Sequence, residues 1–262
     1  MNNTLLKGLS VLELLSRSDR PLSLTQIGRE LGIVKSNVHR LMQALVDTHF
    51  VLRDEEAGTY APSIKLWELG SAVLAKLDLR RHAERQMESL MSLTGESVHL
   101  SVLDRLEVVY VHKVDSPNPV RAYTQIGGRA PAYCVATGKA QLAFGGPALL
   151  SEVATRLEPH TERTIVDPAG FQREMKKVRE QGYALNRAEW RDDVWGIASP
   201  VLDARGSVIA AVGISGPAVR FRKAVLAQWT QAVIGAATDI SHSLGGRQPA
   251  QTALSRAKFG PR

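Results

Sequence analysis

Lys35, Ser36, Asn37, His39, Arg40 and Gln43 crowd the polar side of a short segment whose other side is apolar. Arginine and lysine bond guanine edges or phosphates, asparagine and glutamine read adenine, and serine reaches a phosphate. That chemistry suits a helix lying in the major groove of DNA with its N-terminal residues on the bases. Arg53, farther along, is placed to hold a phosphate.

The flanking sequence supplies what would hold such a helix. Val38, Leu41, Met42 and Leu45 form its apolar stripe. Upstream, Pro21 stops any earlier helix, and Ser23-Leu24-Thr25-Gln26 fits a capping box. Leu24, Ile27 and Leu31 then share one helical face, and Gly32 supplies the left-handed residue that ends the helix and turns the chain. Downstream, Phe50 to Arg53 and Thr59 to Ala61 read as short strands around the polar turn Asp54 to Gly58. Residues 20–62 therefore follow the plan of a winged helix-turn-helix. A plain αα-hairpin with a surface turn is the blander alternative; the tight Gly32 turn, the polar second helix and the wing together favour a DNA reader. Leu5, Leu9 and Leu12, with Leu15 near the same stripe, predict a first helix packed on this pair.

The chain has 262 residues, which suits one large domain or two ordinary ones, and 44% of them are hydrophobic, enough for packed cores. No apolar run approaches the ~20 residues that span a bilayer, and Met1-Asn2-Asn3-Thr4 lacks the plan of a signal peptide. A single cysteine, Cys134, excludes an internal disulfide and a cysteine-based zinc site and fits a reducing cytoplasm. The net charge of +7 is unevenly spread. Residues 1–62 hold seven basic and seven acidic side chains, whereas residues 243–262 hold four basic and no acidic ones. The argument for DNA is thus local, resting on Lys35, Arg40 and Arg53, and the tail reads as a disordered basic extension.

Residues 64–93 are helical in pattern almost throughout, with Leu66, Leu69, Val73 and Leu77 as one apolar row: a linker helix, then the first helix of a second domain. From Ser97 the period changes to two. Ser97 to Leu103, Val108 to Val114, Ile197 to Leu202 and Val208 to Ile214 read as strands. Helices are expected over Thr137–Phe144, Phe171–Gln181 and about Arg222–Leu244. Interleaved helices and antiparallel hairpins indicate an α+β sensor domain.

Four elements in order, Lys35-Ser36-Asn37-Val38-His39-Arg40-Leu41, Ala136-Thr137-Gly138-Lys139-Ala140, Gly182-Tyr183 with Glu189 and Ile197 to Val201, and Ile214-Ser215-Gly216-Pro217, carry a resemblance over nearly the whole length. The chain resembles the IclR family of bacterial transcription regulators. The resemblance implies an α+β protein with an N-terminal winged helix-turn-helix and a C-terminal GAF-like effector-binding domain. It also implies homodimers that often pair into tetramers, operator DNA as partner, and control of catabolic operons by a small metabolite. The expected division is residues 1–62 for the reader, 63–80 for the linker helix, 81–245 for the effector domain and 246–262 for the tail. Val34 stands where the family often has Pro or Ser, and Asn37 where it often has Thr. Gly196 and Gly213 stand where some members carry Cys and Ser in the pocket.

A regulator must bind its metabolite without consuming it. Ala136, Thr137 and Gly138 at a helix start, Asn186, Trp195 and Gly196, and Gly213 and Ser215 are the expected effector contacts. Thr137 is expected to cap a helix beginning at Gly138 and so to offer N–H groups to a carboxylate. The two strand glycines are expected to leave volume and expose further N–H groups. Tyr133, Trp190 and Trp195 lie near these segments and suggest an aromatic acid, although each alone reads more readily as core. Arg187 and Arg191 read more readily as solvated charges than as pocket cations. His99 and His112 read as core or edge histidines of strands. There is no Walker loop, no His-Glu-x-x-His helix and no Gly-x-Ser-x-Gly elbow, so neither catalysis nor a cofactor or metal is expected. The competing reading is an enzyme or metabolite carrier whose N-terminal domain binds a protein.

Overall fold

Ser23 opens the second helix as its spacing predicts. In the computed structural model, which describes residues 3–76 and 79–246, the Ser23 hydroxyl accepts from the Gln26 backbone N–H at 3.4 Å. The Gln26 side-chain oxygen accepts in return from the Ser23 N–H at 2.9 Å. Gly32, at φ +63°, ends the helix in the left-handed region. The chain divides into two units, Met1–Leu77 and Asp78–Arg262.

The first unit runs α1 (Asn3–Arg17), β1 (Leu22–Ser23), α2 (Leu24–Leu31), α3 (Lys35–Asp47), β2 (Val51–Asp54), β3 (Thr59–Pro62) and α4 (Ile64–Lys76). The wing pairs Leu52 with Ala61 and Arg53 with Tyr60, and β1 adds a third strand beside β3. Val11, Leu15, Leu22, Ile27, Ile33, Val38, Met42, Val51 and Tyr60 form one buried core. The expected stripe of α1 needs correcting. Leu5 and Leu9 are 61% and 50% exposed, and Val11 and Leu15, one turn apart, make the buried contact. Only the second half of α1 lies against the core. In α4, Ile64, Trp67 and Leu69 are exposed and Leu66 is half-buried; the expected Val73 and Leu77 side chains lie outside the described residues.

The second unit runs α5 (Leu79–Thr94), β4 (Ser97–Asp104), β5 (Glu107–Val114), β6 (Arg129–Pro131), α6 (Ala136–Leu142), α7 (Pro147–Ala154), α8 (Pro168–Gln181), β7 (Ala184–Arg187), β8 (Val194–Leu202), β9 (Val208–Pro217) and α9 (Lys223–Ser243). The strands form one antiparallel sheet in the order β6-β5-β4-β9-β8-β7. β6, β7 and α7 went unread in the sequence because each is short. The expected basic tail falls on residues 247–262, outside the described residues.

Two features of this sheet shape one face. Register pairs Ser97 with Ser215, His99 with Gly213 and Gly196 with Ser215, so small or polar residues meet on the central strands. Across β4 and β5 the register shifts at Leu100–Ser101, leaving Val111 as an extra residue between Tyr110 and His112. Such a bulge re-aims side chains. It sets Tyr110 beside His99, ring edge to ring face with centroids 5.5 Å apart.

Candidate functional site

On α3, Lys35, Ser36, His39, Arg40 and Gln43 are exposed and Asn37 is half-buried, while Val38 and Met42 lie in the core. The expected reading face is therefore presented as one surface. Lys35 and Arg40 form no ion pair among the described residues. Gln43 donates to Asp47 one turn on, at 2.8 Å. Arg53 pairs with Glu55 at 3.0 Å and lies over the Tyr60 ring, so the wing holds its guanidinium in place. Lys65, which sequence reasoning did not single out, is anchored to the Thr48 carbonyl at 2.8 Å over the Phe50 ring.

The second unit contains a cavity of about 410 Å³. Its lining includes six of the eight expected effector residues: Ala136, Thr137, Asn186, Gly196, Gly213 and Ser215. Gly138 and Trp195 do not line it. A Cβ on Gly138 would lie 2.2 Å from the Ala132 carbonyl oxygen, so this glycine lets α6 pack against the preceding backbone. Trp195 packs near Phe221, with the Arg187 guanidinium over its ring.

Two expected features of the site are also corrected. Helix α6 starts at Ala136 with Val135 as its cap residue, so Thr137 lies within the first turn and caps nothing. Its Oγ1 is instead a buried hydroxyl on the cavity wall, with the Tyr110 phenol as its polar neighbour. Gly196 and Gly213 sit inside β8 and β9, each with a paired strand on both sides. They leave volume, but their backbone groups belong to the sheet and form no row of free donors.

His99, read as a core or edge histidine, is a buried strand residue that also lines the cavity. It is 3% exposed and bridges two elements: Nε2 lies 2.6 Å from the Ser215 hydroxyl and Nδ1 2.9 Å from that of Thr124. Burial lowers its pKa to about 4, against the smaller opposing effect of Asp115. The ring is thus neutral at pH 7, with one donor and one acceptor, so the two hydroxyls take complementary roles. The alternation of Ser97, His99 and Ser101 on a strand was the available signal: three polar residues on one face of a buried strand. Burial also pushes the Tyr110 phenol up to about 12, partly offset by Arg191.

Residues 115–128 cover one side of the cavity and are tied down along their length. Asn118 donates to the Gly95 carbonyl at 2.9 Å, Ser97 donates to that of Ala122 at 3.2 Å, and Arg220 to that of Val120 at 3.0 Å. Arg220 also grips the buried Glu96 carboxylate with two nitrogens.

Three arginines, Arg121, Arg129 and Arg191, line the cavity, and no acidic residue does. Arg129 is neutralised by Asp104 and Glu107, whereas Arg191 makes no ion pair among the described residues. Arg191 is exposed, as its reading as a solvated charge expects, and it also lines the cavity, whereas Arg187 lies outside the lining. Trp190 supplies an aromatic wall; Tyr133 is core, bonded to the Glu158 carbonyl and His160. Among the described residues no group of side chains is arranged to hold a metal ion. Burial pushes the Cys134 thiol up to about 12, which leaves it protonated and inert.

Comparison with known proteins agrees with this anatomy. Residues 4–55 match the IclR helix-turn-helix domain, and residues 71–242 match the family described as bacterial transcriptional regulator IclR C-terminal. The HTH-type transcriptional regulator KdgR of Escherichia coli is 35% identical over 245 residues, covering 93% of each chain. The crystal structure of the Thermotoga maritima IclR superposes with a TM-score of 0.77 at 32% identity, covering 94% of this chain and all of that one. An IclR homolog of Microbacterium hydrocarbonoxydans complexed with 4-hydroxybenzoate superposes with a TM-score of 0.82 at 25% identity, covering 92% and 99%.

The buried neutral His99 has a consequence for acid stability. Its folded pKa, about 4, lies below the unfolded value of about 6.5, so the unfolded chain binds more protons between those pH values. Stability from this group is complete above pH 6.5 and falls by about 3 kcal/mol as pH drops to 4. Buried His112 acts in the same direction and Glu189, raised by burial, in the opposite one. The difference between wild type and His99→Gln isolates the term. Urea unfolding at pH 7 and pH 4 is expected to show wild type losing about 3 kcal/mol more than the variant; parallel losses would contradict the assignment.

Proposed function

We propose how this chain, which belongs to the IclR family of bacterial transcription regulators, couples its two units to one task. It is a DNA-binding transcription regulator with a C-terminal effector domain, not an enzyme; its relatives are named regulators over nearly their full length, which sets aside the enzyme or carrier reading. Residues 1–62 read operator DNA, 63–80 link, and 81–245 hold the effector. In this reading α3 lies in the major groove with Lys35, Ser36, Asn37, His39, Arg40 and Gln43 toward the DNA, and Arg53 holds a phosphate from the wing. The exposure of that whole polar face supports it.

The effector is a small organic anion, and its target is a catabolic operon. The observation that carries the ligand class is the cavity's charge: three arginines and no acid, with Arg191 unpaired among the described residues. Tyr110 and Trp190 give it aromatic walls, and a relative's complex with 4-hydroxybenzoate makes an aromatic acid a natural first probe. The regulator works as a cytoplasmic homodimer, able to pair into tetramers. Exposed Leu5, Leu6 and Leu9 on α1 and Ile64, Trp67 and Leu69 on α4 support self-association. No helix among the described residues is long and apolar enough to cross a membrane.

Arg40→Ala is expected to cost about 1–3 kcal/mol of operator affinity and relax sequence preference, whereas Arg53→Ala weakens all sequences alike. Unchanged operator binding by Arg40→Ala in a mobility-shift titration would contradict the reader assignment. Light scattering is expected to show at least a dimer, reduced to monomer by Trp67→Glu; a wild-type monomer with full operator affinity would refute the dimer. In a thermal-shift screen of aromatic acids, keto acids and neutral sugars, acids should stabilise the chain, by about 2.7 kcal/mol at a hundredfold excess over Kd. Arg191→Ala, Asn186→Ala and Ser215→Ala should lose that response while binding DNA. Hits confined to neutral or cationic compounds would overturn the ligand class.

A further inference from the structure

Lys139 is 1% exposed, yet it belongs to neither the cavity lining nor the surface. Its ammonium meets three carboxylate oxygens, Glu189 Oε1 at 2.7 Å, Glu189 Oε2 at 2.9 Å and Glu174 Oε1 at 3.1 Å. A buried ion pair adds little net stability over apolar residues of the same volume, so stability alone does not account for it.

Its surroundings suggest what does. Glu189 stands in the turn between β7 and β8. The Arg187 N–H donates to Glu189 Oε1 at 3.3 Å, and the Glu189 N–H donates to Asn186 Oδ1 at 2.8 Å. Ala188 between them holds φ +63°, a conformation that a non-glycine keeps only where its surroundings over-determine it. The Ala188 N–H donates to the Val194 carbonyl at 3.0 Å, and the Thr161 and Thr164 hydroxyls donate to the Ala188 and Glu189 carbonyls, each at 2.7 Å. Asn186, Trp190 and Arg191, carried by this same turn, all line the cavity. Lys139 comes from α6, two residues after Thr137, so the pair ties one wall of the cavity to the next.

We infer that Lys139 and Glu189 are positioning residues whose buried ion pair fixes the 186–191 turn and thereby sets where Asn186, Trp190 and Arg191 stand around the cavity. The functional meaning rests on the effector reading above, but the rigidity of the turn is a property of the free protein. It is therefore tested without ligand, and failure of the effector reading would leave the result intact.

The test is amide hydrogen exchange on the full-length chain. Glu189→Ala should speed exchange at Arg187 and Ala188 about tenfold or more, with the amides of α6 and β8 within about threefold of wild type. Glu189→Gln keeps an oxygen for the Arg187 N–H and for Lys139, and should restore the turn to within about threefold of wild type. The double variant Lys139→Met with Glu189→Leu removes both charges at similar volume; it should fold and still exchange rapidly at the turn, which covers the case in which Glu189→Ala does not fold. Wild-type protection of the turn in either the alanine or the double variant would overturn the inference. So would an equal loss across α6 and β8, no recovery in Glu189→Gln, or failure of both disruptive variants to fold, because each marks a general core requirement.

Discussion

The second unit is organised around one close approach, that of α6 to the backbone before it. At Gly138 there is no room for a methyl group: its carbon would overlap both the Ala132 carbonyl oxygen and the Ala132 Cα. Gly213 meets the same limit against Ile197 and Ala198 on the sheet below. Gly196, on the neighbouring strand, faces the helix itself, where an added Cβ would lie 3.5 Å from that of Ala136. Beside these contacts lies the cavity, lined by Ala136 and Thr137 from α6 and by His99 and Ser215 from the sheet. A larger residue at Gly138 would displace the helix that also carries Lys139.

The polar groups around the cavity follow from that packing. Burial deprives His99 of its charge, so it acts as a neutral bridge between the sheet and residues 115–128. Thr137 presents a buried hydroxyl on the cavity wall beside the Tyr110 phenol. Of the three cavity arginines, Arg121 and Arg191 make no ion pair among the described residues, and Arg191 stands on the turn that also carries Glu189.

Local signals were the legible ones. The capping box at Ser23 and the left-handed Gly32 depend on residues a few positions apart, and both are present as read. Six of the eight residues expected to contact an effector line one cavity. Long-range facts were not legible. Leu5 and Leu9 have the spacing of a buried stripe, but only the neighbours of α1 decide that Val11 and Leu15 take the core. The extra Val111 that turns Tyr110 toward His99 follows no pattern in β5. The burial of Lys139 was not legible because its carboxylate partners lie 35 and 50 residues away.

The central claim is that an organic anion in this cavity changes the affinity of the chain for operator DNA. Fluorescence anisotropy of the full-length protein on its operator, titrated with and without saturating organic acid, tests it most directly. The account predicts that an acid that binds the cavity shifts operator affinity by roughly 5–150-fold, that operator shifts the acid's affinity by the same factor, and that Arg191→Ala abolishes both. An acid that binds the cavity yet leaves operator affinity unchanged, or an equal shift produced by neutral sugars, would contradict it.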